Sequence, residues 1–176
     1  MLMRKVNAIL SLIATFLLLD HAIFLSVWML TKGTIAQSAG FLPWILCGVV
    51  LVHAVISIGL GIAAHKGAEH TKVKQYKKWN RSTIFQRISG VLLVVFIPLH
   101  VAGAAGAIHP PKVVHAIVPL LFFTVSLAHA AVSTSKAFVT LGIGSARIVK
   151  VADRVIKVVC AATLVASLVG FYLNIV

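Results

Sequence analysis

Apolar residues in this chain run together instead of alternating with polar ones. Five stretches are apolar on every side: 6–30, 41–64, 88–108, 113–132 and 155–176. Each is close to the roughly 20 helical residues that cross a hydrocarbon core. The pattern predicts an all-α integral membrane protein with five transmembrane helices. The first stretch is longer than the apolar region of a signal peptide, and no small-residue cleavage pattern follows it, so it reads as a retained span. With no internal repeat of roughly 20–50 residues and no low-complexity segment, residues 1–176 read as one membrane domain without a soluble module.

Composition agrees with the pattern. Hydrophobic residues make up 60% of the chain and charged ones 11%, with a mean hydropathy of +1.06. A soluble domain carries about 25% charged residues, so a soluble fold is excluded. The 16 Lys+Arg against 3 Asp+Glu give a net charge of +13, which raises the question of a nucleic-acid partner. Nucleic-acid modules spread their basic residues over a polar face. Here the basic residues fall between the apolar runs, so no nucleic-acid partner is expected.

Their distribution predicts the orientation instead. Arg4 and Lys5 precede span one; Lys66, Lys72, Lys74, Lys77, Lys78, Arg81 and Arg87 lie around the connection between spans two and three. Lys136, Arg147, Lys150, Arg154 and Lys157 lie between or at the edges of spans four and five, leaving only Lys32 and Lys112 on the other side. The positive-inside rule then predicts a cytoplasmic N-terminus and an outside C-terminus. The expected location is the cytoplasmic (inner) membrane of a bacterium or archaeon.

Two cysteines, Cys47 and Cys160, each sit in an apolar run and form neither CxxC nor CxxCH. Covalent c-type haem attachment is therefore excluded. The histidines are the informative residues. Of eight, His65, His70, His109 and His115 fall in polar or boundary segments, while His21, His53, His100 and His129 fall one in each of the first four spans. Ionisable groups at membrane depth are costly and usually mark a cofactor, a proton path or a substrate site. The plain alternative, a histidine hydrogen-bonding a neighbouring helix, is adequate for one residue but strained for four so distributed.

Counted from the cytoplasmic ends, His21 and His100 come out about 20–22 Å up, His129 about 10 Å and His53 about 15–20 Å. Two levels are expected, His21 with His100 outside and His53 with His129 inside. Two histidines from different helices at one height are what a bis-imidazole haem b requires. Zinc would need four converging ligands, which a split in height does not offer. Small residues follow the histidines: Ser57 and Gly61 after His53, Gly103 and Ala104 after His100, Ser126 and Ser133 around His129. They suit a flat cofactor, or simply close helix packing. Pro98 and Pro119 would free backbone carbonyls that could hold a ring nitrogen, or only kink their helices.

The stretch HAVISIGLGIAAHKG, a polar loop containing YKKWN, and FQRISGVLLVVFIPLHV carry a resemblance. Together they are similar to the five-helix, two-haem cytochrome b subunit that anchors succinate dehydrogenases and fumarate reductases. In that family a ligand His opens a run of small residues on helix two. An Arg-x-Ser/Thr-Gly motif then starts helix three, with another ligand His about three turns later. Here those positions are His53, Arg87-Ile88-Ser89-Gly90 and His100. His129, followed by Phe138 and Gly142-Ile143, resembles the helix-four ligand, and His21 in LLLDHAIFLS the helix-one ligand.

The resemblance implies a haem-binding bundle of helices one to four holding two haems b, the distal one by His21 and His100 and the proximal one by His53 and His129. It further implies a quinone, with menaquinone favoured, and an iron–sulfur subunit and a flavoprotein subunit on the cytoplasmic side. Such an anchor passes electrons between the quinone pool and the iron–sulfur subunit, while succinate–fumarate chemistry belongs to the flavoprotein. A dimer of such complexes is compatible with the reading. The chain also departs from the family. A glutamate that some members carry two residues before the helix-four ligand is Leu127 here. An acid near the outer quinone site has no clear counterpart.

Other candidates follow. Asp20, the one acid deep in a span, lies next to His21 but about 100° round the helix, and would serve a quinone or pair with a polar group. Arg87, at the cytoplasmic end of span three, would meet a haem propionate or quinone carbonyl, or snorkel to the interface. Thr83, one turn before it, is similar to a quinone-site residue of single-haem relatives. His109, Lys112 and His115 would supply cations on the outer side, Trp28, Trp44 and Trp79 interfacial anchors, and the 66–81 loop a docking surface. The alternatives are a di-haem subunit of another respiratory dehydrogenase, a haem-free anchor, or a small transporter. The first usually places two histidines on one helix, and the last shows inverted repeats and broken helices.

Overall fold

The computed structural model describes residues 2–32, 41–70, 81–108 and 112–175, with side chains described except at 65–70, 112–116 and 174–175. Five α-helices account for nearly all of it: α1 Leu2–Leu30, α2 Leu42–His70, α3 Arg81–Ala104, α4 Lys112–Leu141 and α5 Ala146–Ile175. All five are long and apolar enough to span a membrane. Their outward surfaces carry large apolar side chains, with Phe16, Val91, Val139 and Val158 more than half exposed. The buried positions are mostly small, including Ser11, Thr15, Ala22, Ser26, Ala130 and Thr134. Large apolar groups outside and small groups inside are the packing expected where lipid is the solvent.

The helices outrun the apolar stretches that predict them. Helix α3 begins at Arg81 instead of 88, α4 continues to Leu141 instead of 132, and α5 begins at Ala146 instead of 155. A helix satisfies its own backbone whatever its side chains are, so polar turns extend it beyond the apolar run. Thr134 and Thr140 in the last turns of α4 turn their hydroxyls back onto the carbonyls of Ala130 and Lys136. The ends are set by turn chemistry. Gly106 and Gly142 adopt φ of +69° and +70°, and each is followed by a bond reaching five residues back, Ala107 N to Ala102 O and Ile143 N to Phe138 O. Both α3 and α4 thus close in Schellman caps.

Helices α1, α4 and α5 pack against one another in a triangle, with α2 against α1 and α3 against α4; among the described residues no comparable contact joins α2 to α3. The core lies in the triangle, where Leu19 and Ala22 meet Leu127, Ala131 and Cys160. Gly170 brings α5 against α1 so closely that a Cβ there would stand 2.8 Å from Met29 Cβ. Ser26 and Ser167 link the same two helices by their hydroxyls. Helices α1 to α4 form the corners of a square open between α2 and α3, and α5, which carries no histidine, packs behind α1 and α4.

Candidate functional site: two histidine pairs across the bundle

His21 and His100 are close enough to interact electrostatically, and so are His53 and His129. Each pair joins helices that do not pack on each other, α1 with α3 and α2 with α4. The pairs therefore run along the two diagonals of the square. All four rings are half-buried.

Their relative height along the bundle follows from two hydrogen-bonded registers, with the outer end taken as the end where α1 and α3 finish and α2 and α4 start. On one side Asn7 of α1 exchanges hydrogen bonds with Ser57 of α2, Nδ2 to Oγ at 3.0 Å and Oγ to Oδ1 at 3.2 Å. With Asn7 level with Ser57, His53 lies one turn outward of that level and His21 lies 14 residues outward of Asn7. The two histidines are then separated by about 15 Å along the bundle. On the other side Gln86 of α3 donates to Ser133 of α4 at 3.1 Å. His129 is one turn outward of Ser133 and His100 lies 14 residues outward of Gln86, again about 15 Å. Both registers give the same spacing, and with His21 within electrostatic range of His100 and His53 within range of His129 it is consistent with His53 and His129 near one level and His21 and His100 near another.

The inner pair is the better supported by neighbours. His129 Nδ1 lies 2.8 Å from Ser89 Oγ. The Ser89 hydroxyl has the Phe85 carbonyl at 2.7 Å and the Gln86 carbonyl at 3.2 Å as acceptors for its one proton. With the proton there, Nδ1–H of His129 donates to Ser89 and Nε2 keeps a free lone pair, the form a metal requires. Gly90 leaves room for the ring: a Cβ there would stand 3.4 Å from His129 Cε1. The Ser-Gly pair of the RISG motif thus seats His129 on the facing helix, and Ser89, not a proline-freed carbonyl, holds its second nitrogen. Across the square, the buried Nδ1 of His53 has no hydrogen-bond partner among the described residues. In the outer pair His100 stacks on Phe122, with ring centroids 4.5 Å apart.

A cationic network lies on the inward side of His129. Lys136 Nζ donates to Gln86 Oε1 at 2.7 Å and to Thr83 Oγ1 at 3.3 Å. It also lies within electrostatic range of Arg87, whose side chain is exposed. Among the described residues no acid pairs with it; the ion pair there joins Lys157 to Asp153. Asp20 is exposed on the outside of α1 and attracts the adjacent His21.

Several sequence candidates are not brought into this site. Leu127 is 1% exposed, in the seam with α5, facing away from the square. Gly61 and Gly103 have nothing within 4 Å of where a Cβ would be, so neither is a close packing contact. Trp28 and Trp44 lie near the outer ends of α1 and α2. The side chains of His65, Lys66, His70, Lys72, Lys74, Lys77, Lys78, Trp79, His109, Lys112 and His115 lie outside the described residues. Sequence reasoning missed Asn7, Gln86, Lys136 and Phe122. Asn7 and Gln86 did carry a signal, since an amide inside or beside an apolar span needs a partner.

Among the described residues, no three or more His, Cys, Asp or Glu side chains gather as a metal site, so the candidate unit is the histidine pair. Compared with known protein families, curated proteins and solved structures, the chain matches none.

Proposed function

We propose that this chain is a di-haem cytochrome b and the quinone-reactive membrane anchor of a succinate:quinone oxidoreductase or quinol:fumarate reductase complex. It lies with its N-terminus in the cytoplasm and its C-terminus outside. The observation that carries this reading is the two histidine pairs, each across one diagonal of the square and about 15 Å apart in height. The residues suit haem b: paired imidazoles on helices without substantial contact, one ring held at Nδ1 by Ser89 and another with a buried Nδ1 that has no partner among the described residues. Held by the His21/His100 and His53/His129 pairs, haem would supply one-electron transfer.

The chain's own residues do the rest. His21 and His100 bind at the outer level and His53 and His129 at the inner one, with Ser89 orienting His129. Lys136 and Arg87 supply positive charge on the inward side, suited to a propionate carboxylate or a quinone carbonyl. Asp20, exposed beside His21, is the group able to exchange a proton with a quinone, menaquinone by preference, arriving through the lipid. The connection between α2 and α3, with the ends of both helices, would receive the iron–sulfur subunit, with the flavoprotein beyond it.

Single alanine replacements of the four histidines test the pairing. His21→Ala and His100→Ala should remove the same haem, and His53→Ala and His129→Ala the other, read by redox titration of the visible bands. Full haem content in any of the four, or matching losses between His21→Ala and His129→Ala, would sink the assignment.

A further inference from the structure

The first three turns of α5 break a common rule of helix design. The N-terminus of a helix is its positive end, where acids stabilise and cations destabilise. Helix α5 has no acid in its first turn, yet it carries Arg147, Lys150, Arg154 and Lys157, all exposed. At 100° per residue these four fall within an 80° stripe on one face. Among the described residues only Lys157 of these four has an anionic partner, Asp153 Oδ2 at 2.6 Å. Lys150, Asp153, Arg154 and Lys157 line a shallow open groove with Val158 and Ala161.

Beside the cations, and further along the same face, the surface is apolar. Ile148, Val151, Val155 and Val158 are 58%, 55%, 52% and 62% exposed, and Val165 is 60% exposed. With 30 residues, α5 is about 45 Å long, roughly 15 Å more than the hydrocarbon core. Its basic turns therefore reach the headgroup layer while its valines continue into the acyl region.

From this arrangement we infer that the outer face of α5 is a binding site for an anionic phospholipid. The phosphate sits on Arg147, Lys150 and Arg154, and an acyl chain lies along Val155, Val158 and Val165. A free phosphate would use the cations alone, without the apolar turns that continue from them. An acidic soluble partner would not extend to membrane depth. The site is independent of the histidine pairs, so its test reads nothing from haem.

The full-length purified protein, stripped of lipid and incubated with equal phosphatidylglycerol and phosphatidylcholine, is examined by native mass spectrometry. The wild type should retain phosphatidylglycerol preferentially. Each cation near an anionic headgroup strengthens binding about fivefold, so the Arg147→Gln/Lys150→Gln/Arg154→Gln variant should bind it at least about tenfold more weakly. A Lys74→Gln/Lys77→Gln/Lys78→Gln variant, with the same change in net charge, should bind it as the wild type does. Millimolar inorganic phosphate should not displace the lipid. Undiminished binding in the α5 variant, an equal loss in the loop variant, or displacement by inorganic phosphate would each overturn the inference.

Discussion

Replacing Ser89 by alanine tests the proposed inner haem site on its own. Ser89 is 2% exposed, and its hydroxyl is hydrogen-bonded to His129 Nδ1 at 2.8 Å and donates to the Phe85 carbonyl at 2.7 Å. Alanine removes one oxygen. The Phe85 carbonyl keeps its ordinary helical partner, so the stability cost stays within about 1 kcal/mol. His129 fares differently: its ring loses the bond that sets its orientation and leaves Nε2 unprotonated. Loss of such an outer partner lowers metal affinity about 10- to 100-fold, or about 1.4–2.7 kcal/mol. The outer pair, about 15 Å away, has no contact with Ser89. Purified Ser89→Ala protein should therefore hold about one haem per chain at limiting haem and regain the second when haem is in excess. Pyridine haemochrome quantitation with redox titration reads both, and the band that weakens should be the one that His129→Ala removes. Wild-type affinity at both sites, or equal weakening of both, would refute the role given to Ser89.

Lys136→Gln removes a cation near the inner level, and a positive charge favours the reduced haem. The midpoint potential of the inner haem should fall by tens of millivolts with the outer one unchanged, as followed by spectroelectrochemical titration. Gly170→Val would push a side chain into Met29, whose Cβ lies 2.8 Å from the added Cβ position. Overpacking of this kind costs about 1–3 kcal/mol, measurable as a lower thermal unfolding midpoint in detergent. Leu127→Glu would bury an unpaired carboxyl in the seam of α1, α4 and α5. It should destabilise the protein by several kcal/mol in the same unfolding assay and should not create a proton path beside His129.

The number and type of the elements were legible because long apolar runs admit few structures other than spanning helices. The helix ends were less so. Polar turns such as those around Gln86 and Lys136 fall outside any apolar window yet extend the helices. Glycines 106 and 142 mark the true C-terminal caps.

The histidine heights could be counted from the chain, but only roughly, since each count began from an uncertain span end. Hydrogen bonds from Asn7 to Ser57 and from Gln86 to Ser133 replace those ends with fixed registers. Which helices neighbour one another was not legible at all. Spacing along a helix gives depth and face, whereas the diagonal relation of the pairs depends on packing between distant segments. The RISG motif was visible as a string. Its use, a serine and a glycine seating a histidine 40 residues away, is a tertiary fact.

The most direct test of the central proposal is the visible spectrum of the purified protein or its membrane complex, oxidised and dithionite-reduced, with pyridine haemochrome quantitation per chain. Two haems b per chain with low-spin, bis-histidine bands are expected. A well-folded preparation without haem would contradict the proposal outright.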